Sequence, residues 1–417
     1  MGLKFKKNLV MILVVGFLGA VIGGVTWLLL FLLNLGIDFL WLFIPERIDL
    51  GLYPLIICAF GGLLVGLWEK RFGPYPRELS EIMAEMKTGQ KIPYNNLHII
   101  GVAALLPLIF GGSLGPEAGL SGIIVGLCFW FSDKLKFTLA EVEEIAEIGM
   151  AATIGVIFNS PLFGFVNQIE DDDSVSRIPK NTRMLLYFVG ILGGFGAFRF
   201  LSDHISGGSG LGNFPAIETL GNTEWTLVIP LALVGSLLGM LYFVFKGLVK
   251  LAIRPLKNKV VVKAVLAGVI LGGVGMFLPY TMFSGEHQLS ELMHGWERIG
   301  VALLFVTAIV KLLITNVCLE MGWRGGHIFP VIFAGTAIGY AFAIILPIDP
   351  IFCVAVVTAA LTGAILRKPL AVILLLLIMF PINAIIPMAI GAVIGGAIPI
   401  PGFLGLGEKE EAANKKI

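Results

Sequence analysis

The sequence has few charged residues and almost no excess of either sign. Charged residues make up 14% of the 417-residue chain and the net charge is +1, whereas a soluble domain carries roughly 25% charged residues. The near-neutral balance argues against nucleic acid as a partner. Hydrophobic residues account for 57% of the chain and gather in long runs. The composition predicts an all-α polytopic protein of the lipid bilayer.

Cysteines and catalytic motifs are also scarce. The four cysteines lie in apolar runs without a CxxC pair, so we expect buried thiols rather than disulfides or metal ligands. They are Cys58, Cys128, Cys318 and Cys353. The sequence contains no HExxH, no pair of catalytic acids and no serine–histidine arrangement. We therefore expect neither an enzyme nor a cofactor or metal site.

Both termini carry lysines that favour the cytoplasmic side. The first apolar run, at 8–35, is longer than a signal-peptide h-region of roughly 7–15 residues, and no A-x-A cleavage site follows it. We predict a first spanning helix with its lysines inside. The segment 406–417 is predicted to be a disordered cytoplasmic tail.

Three patterns recur in the same order in both halves of the chain, which indicates an internal duplication. The offsets between copies are 289 − 79 = 210, 325 − 111 = 214 and 359 − 151 = 208 residues. The predicted organisation is a first membrane repeat at 1–205, an inter-repeat loop at 206–222 and a second membrane repeat at 223–405. Many apolar segments are shorter than the ~20 residues of a full crossing. Short, interrupted helices in matching halves are typical of transporters with a binding site at mid-membrane.

The central pattern is GGxxxP, at 111–116 and again at 325–330. Glycines remove side chains from the backbone, and the proline presets φ for the first turn of an apolar helix. A helix that begins inside a membrane leaves N–H groups without partners and about half a positive charge of dipole. Lipid cannot satisfy those groups, but an anion can. Two converging helix starts would therefore bind an anion without a charged side chain.

Four motifs together resemble the CLC family of chloride channels and anion/proton antiporters. Segments 112–116, 158–162, 326–330 and 366–370 resemble its GxEGP, FNxPL, GxFxP and xRxPL motifs. The resemblance covers nearly the whole chain. It implies an antiparallel inverted repeat of many short, tilted and broken helices in the plasma membrane. It also implies a homodimer with one pore per subunit, whose contacts would map to 161–205 and 369–397.

The resemblance assigns the anion, chloride by default, to backbone amides at the two helix starts. These residues are Ser113, Leu114, Gly115, His327, Ile328 and Phe329. Fluoride, nitrate and bicarbonate stay open as substrates, because three side chains that the family places around the anion are missing. Leu114 stands in the position of the gating, proton-carrying glutamate. Gly73 and Pro74 fall near the expected pore serine and Ile400 near the pore tyrosine, and we keep them as pore-lining candidates.

Other residues are candidates for the missing chemistry. Glu117 is either a first-turn acid stabilised by the helix dipole or a displaced gate that carries protons. His327 is either a protonatable lid on the anion or a neutral packing residue. Asp171, beside Glu170, aligns with the carboxylate that passes protons from the cytoplasm in family antiporters; the alternative is a solvated helix end.

These features leave three functions open. We favour passive anion flow, because a leucine at position 114 cannot carry a proton. The second is anion/proton exchange with Glu117 as the substitute carrier. The third is a secondary transporter of an organic anion in an inverted-repeat fold, which predicts a cavity lined by polar side chains.

Overall fold

The computed structural model describes residues 2–48, 50–73, 75, 96–135, 139–158, 160–170, 180–205, 212–218 and 220–399. Pro74, Asp171, Ile400 and the tail 406–417, which carried predictions, lie outside these residues. Within the described part the regular structure is helical, and the β-type pairing is one isolated bridge. The prediction of an all-α protein is confirmed for these residues.

Fifteen α-helices follow one another along the described chain. They are α1 (Gly2–Asp38), α2 (Tyr53–Phe72), α3 (Leu97–Ile109), α4 (Glu117–Leu135), α5 (Leu139–Ile157), α6 (Pro161–Glu170), α7 (Lys180–Ile205), α8 (Asn222–Ala252), α9 (Val260–Gly275), α10 (Glu286–Gly295), α11 (Val301–Glu320), α12 (Ile328–Ile345), α13 (Pro350–Leu366), α14 (Pro369–Leu376) and α15 (Ile385–Ala397).

Prolines and one aspartate explain why several helices begin where they do. Helices α6, α13 and α14 each begin at a proline, whose missing N–H would have no intrahelical acceptor in the first turn. Asp349 caps α13, because its Oδ1 accepts hydrogen bonds from the N–H groups of Ile351 at 2.8 Å and Phe352 at 3.1 Å.

Five helical stretches are long and apolar enough to cross a membrane, by length and composition. They are Met11–Phe43, Thr182–Ile205, Asn222–Ala252, Val301–Glu320 and Ile328–Ile345. Other apolar helices have only 10–17 residues, as the interrupted hydrophobic pattern predicts. The chain is thus a polytopic membrane protein with broken helices.

The chain forms two compact units that alternate along the sequence. The first comprises Met1–Leu42, Pro74–Leu105 and Pro116–Gly210. Helices α1, α4, α5 and α7 contribute side chains to one apolar core in this unit, which includes Ile22 and Cys128. This division concerns packing, and the repeat boundaries inferred from sequence stay a prediction.

The second unit comprises Phe43–Gly73, Leu106–Gly115 and Leu211–Ile417. Helix α13 is buried from Ile351 through Ala364, as expected for a helix that is apolar on every face. This unit contains the first GGxxxP motif up to Gly115 and the whole of the second motif. The geometry between these two segments is therefore set within one packed unit.

Close packing of α2 against α9 gives a stability prediction. A Cβ on Gly268 would overlap the carbonyl oxygen of Cys58, whereas a Cβ on Gly273 would find its nearest neighbour, Leu55 Cδ1, at 4.0 Å. We expect Gly268→Ala to lower the unfolding free energy by about 2 kcal/mol, because backbone cannot yield as a side chain does. Gly273→Ala in the same helix should be neutral or slightly stabilising. Thermal unfolding in detergent measures both variants, and equal melting temperatures would contradict the expectation.

Candidate functional site

The two GGxxxP motifs meet through their main chains. The N–H of Gly115 donates to the carbonyl oxygen of Gly326 at 2.8 Å, and the N–H of Gly326 donates to that of Gly115 at 2.7 Å. This reciprocal pair is the isolated antiparallel bridge of the described chain, and we call it the Gly115–Gly326 bridge. The structure therefore brings together two segments that the sequence analysis had matched only by pattern.

The glycines of the first motif allow a tight turn at the end of α3. Gly111 has φ 85°, in the region that favours glycine. The N–H of Gly112 donates to the carbonyl oxygen of Pro107 at 2.8 Å, and a Cβ on Gly112 would lie 2.6 Å from that oxygen. The turn thus needs glycine for both conformation and space.

The N–H groups of Leu114 and Gly115, which belong to the six predicted amide donors, already have protein acceptors. The N–H of Leu114 donates to the carbonyl oxygen of Gly112 at 2.8 Å, and that of Gly115 is part of the bridge. An anion reaches these two N–H groups only as a second acceptor or after the bridge opens. The N–H groups of Leu120 and Val331 donate the first intrahelical bonds of α4 and α12, to the carbonyl oxygens of Pro116 and His327.

Leu114, in the position of the gating acid, is fully buried. Its Cβ would lie 2.7 Å from a Cβ added to Gly325, so the side chain packs directly on the first glycine of the second motif. An apolar, uncharged group therefore occupies the junction of the two motifs.

A buried lysine lies beside this junction, and the sequence analysis missed it. Lys311 in α11 is fully buried, and its ammonium donates hydrogen bonds to three carbonyl oxygens. The acceptors are Tyr280 at 2.8 Å, Met282 at 3.1 Å and Phe283 at 3.2 Å. The signal was present in the sequence, since Lys311 is the single charged residue in the apolar run from Val301 to Cys318.

Two hydroxyl groups connect α11 to the first motif. Thr315 Oγ1 donates to the carbonyl oxygen of Lys311 at 2.8 Å. Ser113 Oγ lies 3.1 Å from Thr315 Oγ1. Because a hydroxyl has one proton to donate, Ser113 is the donor to Thr315.

The two candidate titratable residues occupy different surroundings. His327 precedes α12, is partly buried, and its ring centroid lies 5.7 Å from that of Tyr242. Glu117 opens α4 in the first unit and is partly buried. The structure thus keeps both residues at helix starts, and their predicted roles stay predictions.

The remaining predicted residues lie at helix ends. Gly73 follows α2 with φ 99°, and its N–H donates to the carbonyl oxygen of Glu69 at 2.9 Å. Glu170 is the last residue of α6. Arg324, directly before the second motif, places Nη2 at 3.8 Å from Glu69 Oε1. This pair brings the end of α2 beside the second motif.

Comparison with known proteins reveals extensive similarity. A sequence profile described as voltage gated chloride channel matches residues 61–399. The chain is 25% identical over 315 residues to YfeO of Escherichia coli O7:K1 (strain IAI39 / ExPEC), provisionally named an ion-transport protein, covering 72% of this chain and 71% of the relative. It is also similar in structure to a slow cyanobacterial Cl-/H+ antiporter, with a TM-score of 0.79, 19% identity and 97% of each chain covered. A CLC-type fluoride/proton antiporter gives a TM-score of 0.74 at 16% identity, covering 92% of this chain and 94% of the antiporter. These likenesses confirm the predicted fold class.

Proposed function

The chain belongs to the voltage-gated chloride channel family, whose members are anion channels and transporters rather than enzymes, and from this membership we propose that it conducts a small inorganic anion passively across the membrane. Chloride is the default substrate. The proposed anion site lies at the Gly115–Gly326 bridge, between the helix starts at Ser113–Gly115 and His327–Phe329. The observation that carries the proposal is the bridge itself, which joins Gly115 of the first motif to Gly326 of the second within one unit.

The passive mechanism rests on Leu114. A side chain without an ionisable group cannot bind a proton at the junction, nor can it compete with an anion there. Its full burial against Gly325 leaves the junction without a negatively charged group from this position. Each helix start contributes about 1 kcal/mol of electrostatic stabilisation to an anion, so binding should be weak enough for the ion to leave.

Proton-coupled exchange is the second candidate function, and the position and partial burial of Glu117 favour it. A carboxylate in the first turn of α4 is stabilised by the helix dipole, and its partial burial is unusual for a group facing only solvent. The two structurally similar proteins are described as a Cl-/H+ antiporter and a fluoride/proton antiporter. In this alternative Glu117 carries the proton, with Asp171 or His327 as further relay groups.

Flux through liposomes separates the two mechanisms. With purified protein and an imposed chloride gradient, the passive proposal predicts chloride flux without uphill proton movement. Glu117→Gln should leave chloride flux within about twofold of wild type, because an uncoupled anion needs no proton carrier. Glu320→Gln, in another partly buried acid, is the matched control. Uphill proton movement that Glu117→Gln abolishes and Glu320→Gln preserves would establish exchange instead.

We also propose a homodimer in the plasma membrane with both termini cytoplasmic. The predicted contact segments 161–205 and 369–397 each carry large exposed apolar side chains, among them Phe188 and Phe200 in the first and Ile386 in the second. Such groups need either lipid or a second copy of the chain to cover them. Mass measurement of the detergent-solubilised protein tests the dimer.

A further inference from the structure

The ammonium group of Lys311 has no counter-charge within the described chain. Its partners are three carbonyl oxygens and the Phe333 ring, whose centroid lies 4.7 Å from Nζ. The ion pairs between described residues involve other side chains. Carbonyl dipoles and an aromatic face solvate a cation but do not neutralise it. In its protonated form Lys311 is therefore a positive charge buried in the second unit without an ionic partner among the described residues.

The carbonyl oxygens around Lys311 belong to a strained loop that is tied to the first motif. Phe283 has φ 57°, a conformation that is an outlier for a bulky residue. Its N–H donates to the carbonyl oxygen of Gly111 at 2.9 Å, while its own carbonyl oxygen accepts from Lys311. The lysine thus holds a loop that also contacts Gly111, the first glycine of the first GGxxxP motif.

Two more contacts connect Lys311 with the proposed anion site. Thr315 lies one turn after Lys311 in α11. Its hydroxyl group accepts a hydrogen bond from the Ser113 hydroxyl group and donates one to the carbonyl oxygen of Lys311. Phe333 lies in α12, one turn after Phe329. The ammonium group of Lys311 therefore also contacts α12, the helix that begins within the second motif. Lys311 therefore lies among the loop at 280–283, α11 and α12, and the contacts of these elements extend to both motifs.

On these grounds we propose that Lys311 is the fixed positive charge that sets anion affinity at the Gly115–Gly326 bridge. The inference rests on the proposed function, because it takes a small inorganic anion as the ligand. In a low-dielectric interior an unneutralised cation acts on an anion over longer distances than in water. Lys311 acts through space and through the loop at 280–283, without contacting the anion itself, and is a positioning and affinity-determining residue.

Equilibrium binding of bromide to the purified full-length chain in detergent tests the inference independently of transport. Lys311→Gln keeps N–H donors for the carbonyl oxygens but removes the charge, and we expect it to weaken bromide binding about tenfold or more. Lys311→Arg keeps the charge and should stay within about threefold of wild type. Lys257→Gln, at an exposed lysine outside the helices, is the matched control and should bind as wild type does.

A structural role would give a different pattern, so thermal unfolding is measured for each variant. A Lys311→Gln protein that melts like wild type and binds bromide equally well would overturn the inference. If Lys311→Gln does not fold, the result rests on Lys311→Arg, whose failure to bind bromide while folded would also overturn it. Wild-type protein that binds no bromide would do the same. Bromide binding without anion flux in liposomes would instead refute the proposed function and leave the charge effect measurable.

Discussion

Leu114→Glu is expected to reduce chloride flux at neutral pH about tenfold or more, and the lost flux should return as the pH falls. The reason is the position of this side chain, fully buried and packed on Gly325 at the junction of the two motifs. A carboxylate there would place a negative charge where the anion is proposed to bind, and like charges repel strongly in a low-dielectric site.

The pH dependence gives this prediction its specificity. The introduced glutamate is charged above its pKa and neutral below it, so the block should be present at neutral pH and relieved as the pH falls through that pKa. Leu114→Gln has nearly the same size without a titratable group, and its flux should not depend on pH. Liposome flux at several pH values measures both variants. Identical pH profiles for the two would show that position 114 does not face the anion.

Gly325→Ala is expected to disturb both stability and transport. The added Cβ would lie 2.7 Å from Leu114 Cβ, 3.1 Å from Leu114 Cδ1 and 3.2 Å from the carbonyl oxygen of Gly115. Overpacking of this kind costs about 1–3 kcal/mol. Relief requires movement of Leu114 or of Gly115, and the neighbouring Gly115–Gly326 bridge would be displaced with it. We expect a lower melting temperature together with a severalfold loss of anion flux.

A double-mutant cycle identifies the contact responsible. Leu114→Gly removes the Cβ that the new methyl group meets, so the pair Leu114→Gly with Gly325→Ala should recover part of the loss. The expected coupling free energy is about 0.5–3 kcal/mol, as for residues in direct contact. Gly300→Ala is the control, since a Cβ there finds no atom within 4 Å. Additive effects in the cycle would exclude the Leu114–Gly325 contact as the cause.

Sequence reasoning predicted the helical, interrupted character of the chain because its signals are local. Hydrophobic length predicted short, broken helices, and α6 and α14 begin at Pro161 and Pro369, the prolines of the motif segments 158–162 and 366–370. The duplicated GGxxxP pattern also singled out the two segments that the bridge joins. These two segments could be identified because a sequence repeat matches distant positions of the chain even when their packing is unknown.

The polar interior of the site could not be predicted in the same way. Ser113 and Thr315 are 202 residues apart, and the partner of a hydroxyl at that separation depends on tertiary packing. The hydrogen bond that the Gly115 N–H donates depends likewise on packing, because an N–H group at a helix start donates to whichever acceptor reaches it. Lys311 is recognisable in the sequence as a charge in an apolar helix, but the carbonyl oxygens that surround it are brought there by the fold.

The reciprocal hydrogen bonds of Gly115 and Gly326 use only main-chain atoms, which every residue except proline possesses. Residue 114 can therefore change from leucine to an acid, an amide or a hydroxyl over evolutionary time without removing the atoms that join the two segments. In such a protein the architecture of the junction and the chemistry performed there are inherited separately, and close relatives can differ in mechanism while sharing the same main-chain contour.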